Sequence, residues 1–269
     1  MGYAELAGAA RARRRTGVLA AVLEIATVLA LFGVYNVGRL IATNRVATAD
    51  DHARQLLDLE RWLGLPSEEV LQRLAFKVPD LIAFADRYYV SVHFPLTVAV
   101  LVWLYAFRRP AYTWAKWGLI LATAVAMVVH IVVPMTPPRL LTGLDMVDTG
   151  ARAGQSVYAG TSPVGGLANE YAAMPSLHVG WALLLAVVLV RTCRTRWRWL
   201  WMAHPVITMV VVVVTANHYL LDGVAGSLLV LAGLWVSARL WAPAYEAAGL
   251  AQREQAPEPS RPAPVVEAG

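Results

Sequence analysis

Two histidines and an aspartate lie where long apolar stretches of the chain begin or end. His178 follows Pro175 and Ser176 at the start of one stretch, whereas His218 and Asp222 lie between two later stretches. Ionisable side chains are costly at membrane depth, so residues of this kind are candidates for function. Their types predict acid–base or nucleophilic chemistry at the edge of a membrane.

The four-residue spacing of His218 and Asp222 predicts a catalytic pair, because residues four apart on a helical turn share a face. A carboxylate bonded to one imidazole nitrogen fixes the tautomer and leaves a lone pair on the other nitrogen, which can then act as a nucleophile. Asn217 and Tyr219 flank His218 and are candidates for supporting hydrogen bonds. The alternatives are an Asp222 that only caps a helix and histidines that only bond backbone or lipid.

His178 and Arg139 extend this pair towards phosphate chemistry. A protonated His178 could donate a proton to a leaving alcohol. The helix predicted to begin beside it offers its positive end to an anion, and Arg139 could bind a phosphate bidentately, unless it only anchors at headgroups. His93, near the same depth, is a weaker candidate for a hydrogen bond. Together these groups predict a phosphoryl-transfer site with a phosphohistidine intermediate.

The composition is that of an integral membrane protein. Hydrophobic residues make up 58% of the 269 residues and charged residues only 15%, against about a quarter in soluble domains. Apolar runs long enough to span a bilayer as helices, without the alternation of barrel strands, predict an all-α protein with six transmembrane helices. The predicted spans are 18–41, 88–107, 114–134, 175–190, 200–218 and 223–240.

The remaining segments complete the predicted organisation. Residues 1–16 form a basic cytoplasmic N-terminus, 17–242 the six-helix domain, and 243–269 a tail whose Pro, Glu, Gln and Ala content predicts disorder. Segments 50–63 and 68–76 mix apolar and charged residues and predict amphipathic helices on the outer face. The long segment 135–173 is predicted to be a lid or a substrate-binding loop.

The distribution of charge predicts the topology. Arginine and lysine cluster at 11–15, 108–116 and 191–198, whereas acids dominate the opposite ends. The positive-inside rule places the basic ends and both termini in the cytoplasm and the predicted site on the outer face of the plasma membrane. The net charge of +5 therefore reflects topology, and we expect a lipid bilayer and a phosphate-bearing lipid as partners, and no nucleic acid. The oligomeric state is left open.

Two motifs resemble those of a known family. Pro175-Ser176-Leu177-His178 resembles the Pro-Ser-Gly-His motif of the type 2 phosphatidic acid phosphatase (PAP2) superfamily, and His218 to Asp222 resembles its His-x-x-x-Asp motif. The variants Met174 to Trp181 and Asn217 to Asp222, with Met135 to Leu140, are closer to the Aur1-like branch, which includes inositol phosphorylceramide synthase. Val211 and Val212 stand where the superfamily's last motif usually carries Ser-Arg.

The resemblance implies roles for these residues. His218 would be the nucleophile, Asp222 its orienting partner and His178 the general acid, while Ser176 and Arg139 would hold phosphate. The implied activity is transfer of a phospho-headgroup between lipids. The alternatives are a polyprenyl-diphosphate or phosphatidate phosphatase, and a non-catalytic lipid-binding or transport protein.

A zinc site is a further alternative, because two histidines and a carboxylate suit that metal. The chain has no His-Glu-x-x-His segment, and the resemblance implies metal-free catalysis. We therefore expect neither a metal nor a cofactor.

Overall fold

Helices make up almost all of the regular structure. The computed structural model describes residue 33, residues 45–154 and residues 170–254, with side chains described up to residue 240. Within those residues it is all-helical, and a single isolated β-bridge joins Met135 to Ala172. Of the first predicted span, 18–41, only residue 33 is described, and the predicted N-terminus, 1–16, lies outside the described residues.

The described helices follow one another with short connections. We label them α1 (Val46–Trp62), α2 (Glu68–Phe76), α3 (Leu81–Ser91), α4 (His93–Phe107), α5 (Arg109–Val132), α6 (Thr149–Arg152), α7 (Leu177–Thr192), α8 (Ala203–Val214) and α9 (Leu220–Glu254), with a 3₁₀ helix at Arg196–Met202 that leads into α8. Helices α1 and α2 match the two predicted amphipathic helices. Helix α9 continues to Glu254, into the segment for which disorder was predicted.

The described helices include three that are long and apolar enough to cross a membrane. These are α5, the unit Arg196–Val214 and the first part of α9, Leu220–Leu240. Helices α3 and α4 make a fourth candidate if they are taken as one bent span. The apolar helix α7 has 16 residues, fewer than the roughly 20 that span the hydrocarbon. The described residues thus contain three to four candidate spans, and the six predicted spans are not confirmed.

The predicted second span is broken, with a bend of 43° between α3 and α4. Pro95 explains the position of the break, since it has no N–H to donate to the carbonyl of Ser91, four residues earlier, and its ring crowds that carbonyl. The break starts α4 at His93. It thereby places the His93 ring in the first turn of a helix, next to the predicted site.

Two helix boundaries differ from prediction in a way that matters for the site. Helix α8 ends at Val214 and α9 begins at Leu220, so His218 lies in a turn and Asp222 in the first turn of the next helix. Ala216 has a positive φ of 57°, which reverses the chain after the valine run. His218 was predicted to end a helix; the chain reversal at Ala216 ends that helix earlier.

The core of the bundle lies between α4, α5, α7 and α9. Leu104, Leu184, Val188 and Val230 are fully buried there. Helices α7 and α9 approach closely because Gly226 packs on the backbone of Ser176, where a Cβ would collide with the Ser176 carbonyl oxygen. Small residues allow such close contact between membrane helices, and this one joins the start of α7 to the first turns of α9.

Candidate active site

The site is built where α5, α7, α8 and α9 begin or end on the same side of the bundle. The backbone N–H of Arg139 donates to the carbonyl of Ala216 at 2.9 Å, and that of Ser176 donates to the carbonyl of Asp222 at 2.9 Å. These bonds tie the segment after α5 to the His218 turn, and the start of α7 to the start of α9. The convergence expected from topology is therefore present in the fold.

His218 is buried and its ring is held at Nδ1. This atom lies 2.8 Å from the carbonyl oxygen of Ala173 and 3.3 Å from Oδ2 of Asp222. A carbonyl can only accept, so Nδ1 carries the hydrogen and Nε2 keeps its lone pair. The nearer partner is thus a backbone carbonyl, which no residue type in the sequence could have indicated.

Asp222 is completely buried and serves both the histidine and the helix. Its Oδ2 also accepts a hydrogen bond from the backbone N–H of Tyr219 at 2.9 Å. An acidic side chain at the third helical position that bonds back to the residue before the helix is one half of a capping box. The two alternatives considered from the sequence, catalytic partner and cap, are therefore both present in the geometry.

His178 lies beside His218, with 5.7 Å between the two ring centroids. Its ring stacks on Tyr89 at 4.6 Å and contacts Phe94 edge-to-face at 6.1 Å. Helix α7 starts at Leu177, so His178 is at the positive end of that helix. The two imidazoles that the sequence placed in separate apolar stretches are neighbours.

His93 belongs to the same group of rings. Its centroid lies 4.8 Å from that of His178 and 6.4 Å from that of His204, and the Nδ1 of His204 lies 2.5 Å from the Tyr88 hydroxyl. The predicted hydrogen bond of His93 to the site is not among the described contacts; the contact is between rings. His204 is also buried.

Ser176 is fully buried and caps α7. Its Oγ accepts a bond from the backbone N–H of Val179 at 3.5 Å. Ser176 therefore acts as the N-cap of α7. Its contact with phosphate stays a prediction.

Arg139 supports the turn that carries His218. Its side chain is 2% exposed, with Nε 3.4 Å from Oδ2 of Asp148, and Nη1 donates to Oδ1 of Asn217 at 2.9 Å. Asn217 in turn donates to Thr215 Oγ1 at 2.9 Å. The guanidinium thus lies one residue from the histidine, where it stabilises the turn as well as supplying positive charge.

Tyr219 completes the local support. It is fully buried, and its hydroxyl donates to the carbonyl oxygen of Thr136 at 2.9 Å. Burial raises the pKa of the Tyr219 phenol above its usual range, and the nearby Asp222 raises it further. The phenol therefore stays a neutral donor, which links the segment after α5 to the site.

Two observations concern ligands that the site could hold. In the part of the chain described, no group of three or more His, Cys, Asp or Glu side chains is arranged to hold a metal ion. Val211 and Val212 are buried in the apolar core beside Tyr89 and Val179. These two positions therefore bring no cation to the site.

Glu60 and Glu68 were missed as residues near the site. Both are 3% exposed, although both are charged residues of segments predicted to be amphipathic helices on the outer face. The pattern could have identified Glu60, since it follows Ala53, Leu56 and Leu57 at the spacing of one helix face. A carboxylate in the apolar stripe of a helix needs a partner.

Comparison with known proteins identifies the family of this chain. The model of the PAP2 superfamily matches residues 54–236, which include every residue assigned to the site. The crystal structure of Aquifex aeolicus LpxE aligns with a TM-score of 0.46 and 17% sequence identity, over 64% of this chain and 93% of that chain. No curated protein matches the sequence significantly.

Proposed function

Since the chain belongs to the PAP2 superfamily, we propose that it is a membrane enzyme that transfers phosphoryl groups from a lipid-linked phosphate through a phosphohistidine. The observation that carries this proposal is the pair of neighbouring imidazoles, with ring centroids 5.7 Å apart, one of which has its Nδ1 fixed as a donor. One ring is ready to attack, and the other lies close enough to serve the same phosphorus atom.

The first step forms the covalent intermediate. The lone pair on Nε2 of His218 attacks phosphorus, and the bond from phosphorus to the leaving oxygen breaks as His178 gives that oxygen a proton. The positive charge that develops on His218 is stabilised by Asp222 and by the Ala173 carbonyl, which both face Nδ1. The electron pair of the broken bond leaves with the protonated alcohol.

The second step regenerates the enzyme. His178, now neutral, accepts a proton from the incoming hydroxyl as its oxygen attacks phosphorus, and the N–P bond breaks to return the lone pair to His218. Arg139 and the positive end of α7 support the charge on the phosphate. Ser176, as the cap of α7, orients that helix end. No step requires a metal or another cofactor.

The acceptor decides between hydrolysis and transfer. Water as acceptor gives a lipid phosphatase, which we take as the principal form of the proposal. The resemblance of Met174 to Trp181 and of Asn217 to Asp222 to the Aur1-like branch favours a lipid or sugar hydroxyl, which gives a phospho-headgroup transferase. The site is proposed to face the outer side of the plasma membrane, with both termini in the cytoplasm.

The test measures turnover of phosphate-labelled phosphatidate, polyprenyl diphosphate and phosphatidylinositol by the purified protein, with and without an added alcohol acceptor. We expect His218→Ala to abolish turnover and His178→Ala to lower it by about 10²–10⁴-fold, the range typical of a general acid. His52→Asn is the matched control, because His52 lies on α1 and bonds the Pro134 carbonyl at 2.8 Å.

Acid-labile, base-stable label on the wild-type protein, absent from His218→Ala, would identify the phosphohistidine. Turnover of both site variants at the wild-type rate would refute the mechanism. Lipid binding without turnover of any substrate would favour the non-catalytic alternative.

A further inference from the structure

The first turn of α9 is held by carboxyl groups from three different helices. The backbone N–H of Leu220 donates to Oε1 of Glu68 at 3.1 Å, and that of Leu221 donates to Oε1 of Glu60 at 2.7 Å. Asp222 accepts from Tyr219, the residue before them. The helix that carries Asp222 thus has three consecutive amides bonded to acids, two of which come from the amphipathic helices α1 and α2.

These acids are packed together without enough donors. Glu60 and Glu68 are each 3% exposed and Asp222 is 0% exposed. Oε2 of Glu60 and Oδ1 of Asp222 are buried and meet no donor among the described residues. Burying three charges in this way is expensive, and the positive end of one helix offsets only part of the cost.

A proton shared by Glu60 and Glu68 relieves the repulsion between their carboxylates. The two carboxyl groups bind the N–H groups of adjacent residues, and neighbouring buried carboxylates repel each other unless one of them is protonated. Burial raises the pKa of Glu60 to about 8, with Glu68 and Asp222 adding to the rise and the Leu221 amide opposing it. The groups facing the pair are Asp222 and the neutral Tyr219, with His218 behind Asp222.

We propose that Glu60 and Glu68 are positioning residues for His218 and Asp222: they share one proton and, as a neutral-plus-charged pair, fix the first turn of α9. This inference rests on the proposed function for its effect on turnover. Loss of the shared proton places an additional negative charge against Asp222 and Leu221. The turn is then displaced, and the geometry of the His218–Asp222 pair is lost while the lipid-binding surface is kept.

The test compares Glu60→Gln with wild type between pH 6 and pH 9.5. Glutamine keeps an oxygen for Leu221 and brings an N–H₂ for Glu68, but it cannot lose a proton. We expect kcat of the wild type to fall at least 10-fold further than that of Glu60→Gln as the pH rises through about 8, with KM changed less than 2-fold, because both proteins share His178 and differ only in the acid pair. Asp58→Asn is the control, since Asp58 lies on the same helix but is 70% exposed, and it should follow the wild type.

Thermal unfolding of the same samples tests the shared proton without any turnover. A raised carboxyl pKa gives stability that is present at low pH and lost as the pH rises through the folded value. The midpoint of the wild type and of Asp58→Asn should therefore fall over this range, while that of Glu60→Gln stays nearly level. Glu68→Gln should behave like Glu60→Gln and replaces it if that variant folds poorly.

Two results would overturn the inference. One is an unfolding profile of Glu60→Gln that falls with pH as the wild type does. The other is Glu60→Ala turning over within 2-fold of wild type at pH 7. Failure of the proposed function would look different: His218→Ala would be as active as wild type, or every protein would be inactive. In either case the unfolding profiles would still test the acid pair.

Discussion

At the scale of single residues, the ring of His218, the proposed nucleophile, is oriented by the backbone as much as by Asp222. The Ala173 carbonyl lies 2.8 Å from Nδ1 of His218, against 3.3 Å for Oδ2 of Asp222. In sites where the carboxylate alone sets the tautomer, its loss as Asn costs about 10⁴-fold in turnover. Here the carbonyl keeps Nδ1 protonated after such a change.

Asp222→Asn should therefore lower kcat by only about 10–100-fold, well short of the loss seen where the acid alone sets the tautomer. Asp222→Ala removes the bond to Tyr219 as well and should also lower stability by about 1 kcal/mol, as for the loss of a helix cap. Turnover of labelled lipid and thermal unfolding measure the two effects. A 10⁴-fold loss in Asp222→Asn would mean that the carbonyl does not hold the ring.

Arg139 and Asn217 act as one unit. The hydrogen bond between them is 2.9 Å long and lies next to His218 in sequence, so part of the effect of each side chain should depend on the other. Arg139→Gln, Asn217→Ala and the double variant should show a coupling of about 1 kcal/mol in kcat/KM. If the two losses add fully, Arg139 acts on phosphate independently of the turn.

At the scale of elements, the close packing of α7 on α9 sets the position of His178 relative to His218. Gly226 meets the carbonyl of Ser176, two residues before His178, and Gly180 approaches the carbonyl of Gly226, where a Cβ would lie 2.8 Å from the oxygen. Backbone cannot move aside as a side chain can, so added volume must separate the two helices.

Gly226→Ala should therefore destabilise the protein by about 1–3 kcal/mol, the usual cost of overpacking, and lower kcat more than it raises KM. Val224→Ala is the control, because Val224 lies two residues away on the same helix and is 45% exposed. Thermal unfolding and steady-state turnover give the comparison. If Gly226→Ala is as stable as the wild type, α7 and α9 can move apart without a cost in stability.

The sequence predicted elements better than it predicted their ends. Apolar runs and amphipathic spacing located most of the described helices, because burial depends on residue type and period; they did not predict α6 or most of α3. The break at Val92 and the turn at Ala216 depend on backbone geometry; only the first has a cue, in Pro95. At the site, His178, His218 and Asp222 were identifiable by type, whereas the Ala173 carbonyl and the burial of Glu60 against α9 arise from tertiary packing.

At the scale of the whole molecule, the two ends of the bundle differ in charge. Arginines pack on aromatic rings at one end, as with Arg109 over Tyr105 at 3.5 Å and Arg191 over Trp114 at 5.8 Å. The acids Glu60, Glu68 and Asp148 lie at the end with the site. From the positive-inside rule we predict that the arginine end is cytoplasmic.

Cysteine labelling checks this orientation. The chain has one cysteine, Cys193, so a Cys193→Ser background is free of thiols. Trp62→Cys and Trp199→Cys then report on opposite ends, at positions that are 81% and 61% exposed. In intact cells, a membrane-impermeant maleimide should label the Trp62→Cys protein only. The Trp199→Cys protein should be labelled only after permeabilisation. The reverse pattern would invert the topology.

The shortness of α7 has a consequence for how a substrate arrives. Its 16 residues measure about 24 Å at 1.5 Å per residue, against a hydrocarbon layer of about 30 Å. If Arg191 near its far end lies at the cytoplasmic boundary, His178 is about 20 Å away along the helix and is recessed roughly 10 Å below the opposite boundary. A phosphate must then sink towards the acyl chains while its tails stay in the leaflet, and the water that hydrolyses it has to enter through the same depression.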